Sequence, residues 1–136
     1  MQVRIKWLEQ RAFKAETGSG HSLTMDGPTE HGGQNLAARP MEMILVGLGG
    51  CSAFDVVEIL EKSRQKVKDC QIEIDAERAD EIPAVFTKIH MHFIIAGDEL
   101  NEKHVKRAVE LSAEKYCSVA KMLRPNVEIS YDYEMS

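Results

Sequence analysis

The residues of this chain best suited to chemistry are two cysteines, Cys51 and Cys117. Cys51 lies in the apolar run of residues 43–54, and Cys117 lies in the segment Lys-Tyr-Cys-Ser-Val-Ala-Lys-Met-Leu, residues 115–123. We expect each to lie on or at the start of a helix, where backbone N–H groups favour the ionised thiol. A second thiol within reach converts the oxidised form of the first into a reversible disulfide. The pair therefore indicates thiol redox chemistry.

A structural interpretation of each cysteine stays open beside the chemical one. A cysteine in an apolar helix is most often a small buried hydrophobic residue, and this holds for Cys51 taken alone. Cys117 lies where one helix ends and another begins, and Lys121 and Arg124 follow it, so positive charge there favours a thiolate. The third cysteine, Cys70, has the core-facing parity of a strand, and we interpret it as structural. The two candidates lie 66 positions apart, so only the fold can bring their sulfur atoms together.

Composition limits the classes of function. A chain of 136 residues fits one domain, residues 1–136, and a formal charge of −5 without a long run of Lys or Arg argues against a nucleic-acid partner. The longest charge-free apolar run, residues 43–54, is shorter than the roughly 20 residues that cross a bilayer, and no signal peptide is evident at the start. We therefore expect a cytoplasmic protein without a membrane segment, in which any disulfide is catalytic or regulatory.

Three glycines lie beside Cys51 inside the predicted long helix. Gly47, Gly49 and Gly50 each cost roughly 0.5–1 kcal/mol there relative to alanine, so something must offset that cost. Close packing against another element is the simpler explanation, and room for a substrate oxygen or a second subunit is the sharper one. Their spacing does not match a dinucleotide-binding fingerprint.

The elements that must position these residues follow from hydrophobic periodicity. Alternation in the first quarter predicts a small antiparallel sheet, and residues 27–39 predict a loop. A long helix should begin at Pro40 and become amphipathic after Phe54, and Asn101 should cap a later helix. The helix should expose Asp55, Glu58, Glu61 and Lys62 to water. Two later alternating runs predict a hairpin of strands, the second of which should bury Ile89, Met91, Phe93 and Ile95. The helix capped by Asn101 should place Val105, Ala108, Val109 and Ser112 on one face. The order of three strands, long helix, two strands, two helices and a strand predicts an α+β protein with helices against an antiparallel sheet.

Other candidate sites are weaker. His90 and His92 share the polar side of a strand, but no third ligand has convincing spacing, so a solvated face is the better interpretation and we predict neither a metal nor a cofactor. No nucleophile elbow supports a hydrolase.

Two segments together resemble a known family. Residues 39–53, Arg-Pro-Met-Glu-Met-Ile-Leu-Val-Gly-Leu-Gly-Gly-Cys-Ser-Ala, and the later Tyr-Cys-Ser-Val-Ala-Lys-Met-Leu are similar to the OsmC/Ohr family of thiol-dependent peroxidases, most closely its YhfA-like branch. The resemblance implies a two-layer βββ-α-ββ-αα-β fold and an intertwined homodimer with two active sites near its interface. It also implies reduction of hydroperoxides, especially organic ones.

The resemblance assigns roles to particular residues. Cys51 matches the peroxidatic cysteine and Cys117 the resolving cysteine, and a small dithiol or lipoyl-type reductant would restore both thiols. The family's catalytic Glu falls at Met41 in this chain, so Glu42, one position later, and Arg39 are the nearest candidates for the Glu and Arg that assist the cysteine. Ser118 stands where resolving-site sequences often have Pro.

Two alternatives to a peroxidase remain from the sequence. The same fold could bind a small apolar or electrophilic ligand, with the cysteines only lining the pocket. A structural, stress-associated dimer would keep its thiols unreactive until it unfolds.

Overall fold

The computed structural model describes residues 1–136, which form two compact units, residues 1–46 and 47–136. The longest helix begins in the first unit and ends in the second. The elements are β1 (Val3–Glu9), β2 (Ala12–Thr17), β3 (Ser22–Met25), α1 (Pro40–Lys62), β4 (Lys66–Arg78), β5 (Phe86–Asp98), α2 (Glu102–Leu111), α3 (Ser118–Leu123) and β6 (Glu128–Met135). The predicted α+β class and the predicted order of elements are confirmed.

The amino-terminal unit is an antiparallel sheet of order β1-β2-β3 followed by the predicted loop. The buried carboxylate of Asp26 organises that loop, because it accepts hydrogen bonds from the backbone N–H groups of Gly27 (2.7 Å), Gln34 (3.2 Å) and Leu36 (3.2 Å). Burial alone would raise the pKa of Asp26, but these hydrogen bonds and the charge of Arg39 outweigh it and lower that pKa. The loop is therefore held from within by one ionised side chain.

The carboxy-terminal unit contains a second sheet, of order β4-β5-β6. β4 and β5 form the predicted antiparallel hairpin, but β6 pairs with β5 in the parallel direction, so the sheet is mixed. The reason is the connection: the chain leaves β5, passes through the helical segments and returns by a crossover, which brings a strand back in the same direction. The predicted core face of β5 is confirmed, with Ile89, Met91, Phe93 and Ile95 all buried.

Helix α1 faces this sheet with one narrow stripe. Within the carboxy-terminal unit its buried residues recur every fourth position, which places them on one side of the helix. They are Leu48, Ser52, Val56 and Leu60. A Cβ atom at Gly49 would lie 3.2 Å from the Ile74 Cδ1 atom, which confirms close packing there, whereas Gly47 and Gly50 face open space.

The composition of α1 is unusually apolar for an exposed helix. It is 23 residues long, and an 18-residue window within it has a mean hydropathy of 1.8, so by length and composition alone it is able to cross a membrane. This differs from the expectation based on the shorter charge-free run. A helix that is covered by protein on every side is equally apolar, because none of its faces needs polar side chains for contact with water.

Helix α2 confirms two predictions. The Asn101 side-chain oxygen accepts a hydrogen bond from the Lys103 backbone N–H at 2.9 Å, which caps the helix. The predicted apolar face, Val105, Ala108 and Val109, is fully buried and extends to the buried Ser112. A five-residue π-helix, residues 112–116, follows α2 directly and leads to Cys117.

Candidate active site around Cys51 and Cys117

The fold brings the two candidate cysteines into contact. The closest atoms of Cys51 and Cys117 are 3.4 Å apart, and both thiols are free. A disulfide has a sulfur–sulfur distance near 2.05 Å, so a small side-chain movement separates this reduced pair from a bond. The sequence could not show whether the two cysteines lie close enough to react with each other, and within the carboxy-terminal unit they do.

The π-helix positions Cys117. Its last hydrogen bond runs from the Cys117 backbone N–H to the Ser112 carbonyl oxygen at 2.9 Å, and Cys117 itself is extended, with φ −69° and ψ 109°. The next residue begins α3, so Cys117 lies at the junction of two helical segments, as predicted. The guanidinium of Arg124 donates to the carbonyl oxygen of Ala113 and secures the π-helix from outside. Such insertions often occur at functional sites.

Hydrogen bonds to sulfur surround the Cys117 side chain. The Ala120 backbone N–H donates to its Sγ at 3.5 Å, and the buried Ser52 hydroxyl lies 3.3 Å from the same atom. The Ser52 hydroxyl also lies 3.7 Å from the Met91 sulfur, so its single hydrogen is donated to one sulfur at a time. The Leu48 carbonyl oxygen, 4.0 Å from Cys117 Sγ, is an acceptor for the S–H hydrogen. The thiol thus has defined partners on several sides.

Burial nevertheless keeps Cys117 protonated. Burial is the largest influence and raises the pKa of its thiol, the hydrogen bonds from Ser52 and Ala120 oppose this, and the neighbouring Cys51 raises it again. The expectation that the helix junction with Lys121 and Arg124 favours a Cys117 thiolate is therefore wrong, because loss of hydration outweighs the hydrogen bonds. Cys117 is 2% exposed, whereas Cys51 is partly exposed. Of these two cysteines, only Cys51 is open to an incoming molecule.

A carboxylate completes this site, and the sequence did not single it out. The Cys51 and Cys117 sulfur atoms and a carboxylate oxygen of Asp55 all lie within 4.8 Å of one another. Asp55 is half-buried, so the expectation that it faces water holds only for one side of its carboxylate. The signal was present, since Asp55 follows Cys51 by four residues and so lies on the same face of the helix. We call Cys51, Asp55 and Cys117 the thiol cluster.

Ser112 holds the Asp55 side chain. Its buried hydroxyl lies 3.2 Å from Asp55 Oδ2 and 3.0 Å from the Ser52 carbonyl oxygen. Burial raises the pKa of the Asp55 carboxyl, the Ser112 hydrogen bond lowers it, and the charge of Glu58 raises it further, with a net upward shift.

The two remaining candidates, Arg39 and Glu42, belong to the amino-terminal unit and have local partners there. Glu42 Oε1 accepts a hydrogen bond from the Arg39 backbone N–H at 2.9 Å, which caps the first turn of α1. The Arg39 guanidinium donates to the Ala37 carbonyl oxygen at 3.0 Å. Their assistance to the cysteines stays a prediction.

The residues set aside from the sequence lie elsewhere in the carboxy-terminal unit. Cys70 is half-buried on β4, where burial and then the charge of Asp69 raise the pKa of its thiol, in keeping with a structural role. His90 and His92 lie on the polar face of β5, as predicted, and each contacts the neighbouring strand β6. We call the exposed group that they form the histidine ladder: His90, His92, Ser130, Asp132 and Glu134.

Comparison with known proteins agrees with this arrangement. The family model described as OsmC-like protein matches residues 32–132. Protein YhfA of Escherichia coli K12 is 50% identical over 135 residues, which cover 99% of this chain and 98% of YhfA. A crystal structure of a hypothetical protein from Aquifex aeolicus VF5 is similar, with 34% identity, a TM-score of 0.82 and coverage of 99% of this chain and 96% of that one.

A more distant structure shares the fold and has an informative name. An organic hydroperoxide resistance protein OsmC from Legionella pneumophila superimposes with a TM-score of 0.73 at 19% identity, covering 98% of this chain and 97% of that one. Proteins that share this fold thus include ones named for resistance to organic hydroperoxides. With the family model spanning most of its length and a relative at half identity over nearly all of it, the chain belongs to the OsmC-like protein family, in the branch that includes YhfA.

Proposed function

We propose that this protein is a thiol-dependent reductase of organic hydroperoxides, with Cys51 as the peroxidatic and Cys117 as the resolving cysteine. The observation that carries the proposal is the 3.4 Å approach of two free cysteines that the sequence separates by 66 positions. A fold that only needed two small apolar residues here would not require both to be thiols. The name of the Legionella pneumophila relative supports the substrate class.

The exposure of the two thiols assigns their order of reaction. Cys51 is partly exposed and meets the peroxide first, while Cys117 is buried behind it. The Cys51 thiolate attacks the terminal peroxide oxygen, the O–O bond breaks, and the alkoxide takes a proton and leaves as an alcohol. Cys51 is then a sulfenic acid, oxidised by two electrons.

Resolution needs the second sulfur. Cys117 loses its proton, attacks the Cys51 sulfur and forms the disulfide, and the sulfenic hydroxyl leaves as water. A small dithiol or a lipoyl-type reductant then returns both thiols through exchange, with its own two thiols oxidised to a disulfide. Arg39 and Glu42 remain proposed helpers that polarise the peroxide.

We further propose an intertwined homodimer, because the isolated chain leaves much apolar surface uncovered. Every residue of β1 is exposed, and its apolar face includes Trp7 at 67% and Val3 at 59%. In the carboxy-terminal unit Phe54, on α1, is 70% exposed. Apolar patches of this kind mark interfaces. Sedimentation of wild-type protein should give a dimer mass, and a monomer mass would reject this proposal.

We also propose that the two units fold together as a single OsmC-like domain in the cytoplasm, in keeping with a family of soluble proteins. Unfolding followed by Trp7 fluorescence, which reports the amino-terminal unit, should coincide with unfolding followed by backbone circular dichroism. Two separate transitions would show independent units.

The mechanism is tested by one equivalent of an alkyl hydroperoxide. Mass analysis should show that the reduced protein loses two hydrogens and that peptides containing Cys51 and Cys117 become linked. Addition of a dithiol should restore the thiols and allow further turnover. An unchanged mass, or a bond that includes Cys70, would overturn the assignment. Loss of thiols without restoration by dithiol would favour the alternative, an OsmC-like dimer that binds an electrophilic ligand.

A further inference from the structure

The resolving step poses a problem that the two cysteines alone do not solve. Cys117 is 2% exposed, and burial raises the pKa of its thiol, so at neutral pH it carries the proton that it must lose before it attacks. Bulk water does not reach it to accept that proton. A base within the protein must therefore lie near the Cys117 sulfur.

Asp55 meets the requirement of position. One of its carboxylate oxygens lies within 4.8 Å of both sulfur atoms, a gap that one water molecule or a small side-chain rotation closes. Burial, which raises the pKa of the Asp55 carboxyl, also makes it a stronger base than an exposed aspartate.

Asp55 also has access to solvent on its other side. It lines a groove of about 620 Å³ together with Glu58 and Lys62 of α1, Arg107 of α2 and Tyr116 of the π-helix. Tyr116 is 51% exposed, so water enters this groove. Asp55 thus lies between the buried thiol pair and the solvent.

The Ser112 hydroxyl supports both protonation states of Asp55. When Asp55 is ionised, Ser112 donates to its Oδ2 atom across 3.2 Å. When Asp55 is protonated, Ser112 donates instead to the Ser52 carbonyl oxygen at 3.0 Å and accepts the hydrogen of the carboxyl group. Neither state leaves a buried polar group without a partner, so the carboxyl can change its proton at little cost.

We propose that Asp55 is the proton acceptor for Cys117 and the proton relay between the thiol cluster and the groove. This deepens the proposed function, on which it rests. The Cys117 S–H proton passes to the Asp55 carboxylate, and the resulting thiolate attacks Cys51 sulfenic acid to form the disulfide. The hydroxide that leaves takes the proton from Asp55, so that water is released and the carboxylate is restored.

Charged groups around Asp55 set its pH dependence. From α1, Glu58 disfavours the carboxylate and Lys62 is paired with Glu58 at 3.2 Å. From α2, Arg107 lines the same groove. On the inner side Asp55 faces the two thiols and Ser112. Glu58 shares the groove but not the thiol cluster, so it provides a matched control.

The test isolates the attack by Cys117 and uses no peroxide. In a Cys70→Ser background, one equivalent of Ellman's reagent should release thionitrobenzoate twice: first when Cys51 attacks the reagent, then when Cys117 attacks the mixed disulfide on Cys51. Asp55→Asn should slow the second phase by about a hundredfold at neutral pH without slowing the first, because removal of a nearby negative charge does not disfavour the Cys51 thiolate. The rate of the second phase in this variant should rise about tenfold per pH unit, because it now depends on spontaneous ionisation of Cys117.

Controls separate proton transfer from structure. Glu58→Gln removes a neighbouring charge but not the proton acceptor, so it should change the second phase far less than Asp55→Asn does, and Asp55→Glu should recover part of the second phase. If the second phase of Asp55→Asn is slower than that of the parent by the same factor at every pH, Cys117 is misplaced and the relay is overturned. An unchanged rate of the second phase would also overturn it. A parent protein that shows both phases but consumes no alkyl hydroperoxide would reject the peroxidase function and leave the relay intact.

Discussion

Two groups of chemically capable side chains lie in the carboxy-terminal unit, and they differ in their exposure to water. In the thiol cluster Cys117 is 2% exposed, and a buried serine hydroxyl lies beside Cys117 and another beside Asp55. In the histidine ladder the side chains of Asp132 and Glu134 are 60% and 56% exposed. Both groups bring ionisable atoms to hydrogen-bond or near-contact distances.

The difference shows that proximity alone does not make a reactive site. In the ladder, water screens the charges, and opposite charges neutralise one another in place. In the thiol cluster, exclusion of water makes each change of charge costly, so a proton or an electron pair must move between named neighbours. The ladder is therefore an exposed surface feature, and the thiol cluster is a candidate centre of reaction.

The largest effect is expected from the exposed thiol of the cluster. Cys51→Ser should reduce hydroperoxide consumption to the uncatalysed background, because a serine hydroxyl is neither ionised nor oxidised under these conditions. Loss of alkyl hydroperoxide in the presence of excess dithiol measures this.

Cys70→Ser is the matched control for that experiment. Cys70 lies on β4 outside the thiol cluster, so its replacement should leave turnover near that of the wild type. A folded Cys70 variant without turnover would show that the wrong thiol has been assigned to the reaction.

A smaller effect is expected from the buried thiol. Without dithiol, Cys117→Ser should still consume about one equivalent of peroxide per chain, since Cys51 attacks without help from a second sulfur. The sulfenic acid then persists, and excess peroxide should add further oxygen to Cys51, which mass analysis detects. Rapid formation of a disulfide in this variant would mean that another cysteine resolves Cys51.

Much of the fold followed from the sequence because local patterns specify it. The alternation in β5 gave its buried face, and Pro40 and Asn101 gave the starts of two helices. The parallel pairing of β6 did not follow, because strand direction depends on the path of the chain through three helical segments. The π-helix was missed for a similar reason, since its extra residue is stabilised by contacts such as that from distant Arg124.

The site was predicted in part. The cysteine pair came from residue type and from resemblance, and the structure supplied the distance between them. Asp55 was missed because its acidic neighbours on α1 face water and periodicity groups it with them. Only the packing of Ser112, 57 positions later in the chain, shows that this carboxylate is half-buried. The sign of the Cys117 pKa shift was missed as well, since burial cannot be measured from one helix.

The smallest effect is expected in the histidine ladder. Both ring nitrogens of His92 contact carboxylate oxygens, Asp132 at 2.6 Å and Glu134 at 3.0 Å, so the protonated ring has an acceptor for each of its two N–H groups. The hydrogen bond to Asp132 and then that to Glu134 raise the pKa of His92, while His92 and then His90 lower the pKa of Asp132 against the effect of burial. The stabilisation from His92 is therefore full below its unfolded pKa of about 6.5 and is lost as pH rises through the raised folded value.

Replacement of this histidine tests the contrast between the two groups. His92→Gln should lower the melting temperature slightly at about pH 6, and by less at a pH above the raised folded pKa of His92, where the wild-type ring is neutral. Asp132 stays ionised at both pH values because its pKa is lowered, so its own titration does not contribute to the difference between them. Disulfide formation between Cys51 and Cys117 should be unchanged, since the ladder lies on the exposed sheet face. A loss of thiol reactivity in His92→Gln would mean that the two groups are coupled through β5. An equal decrease of the melting temperature at both pH values would mean that packing rather than charge stabilises the histidine ladder.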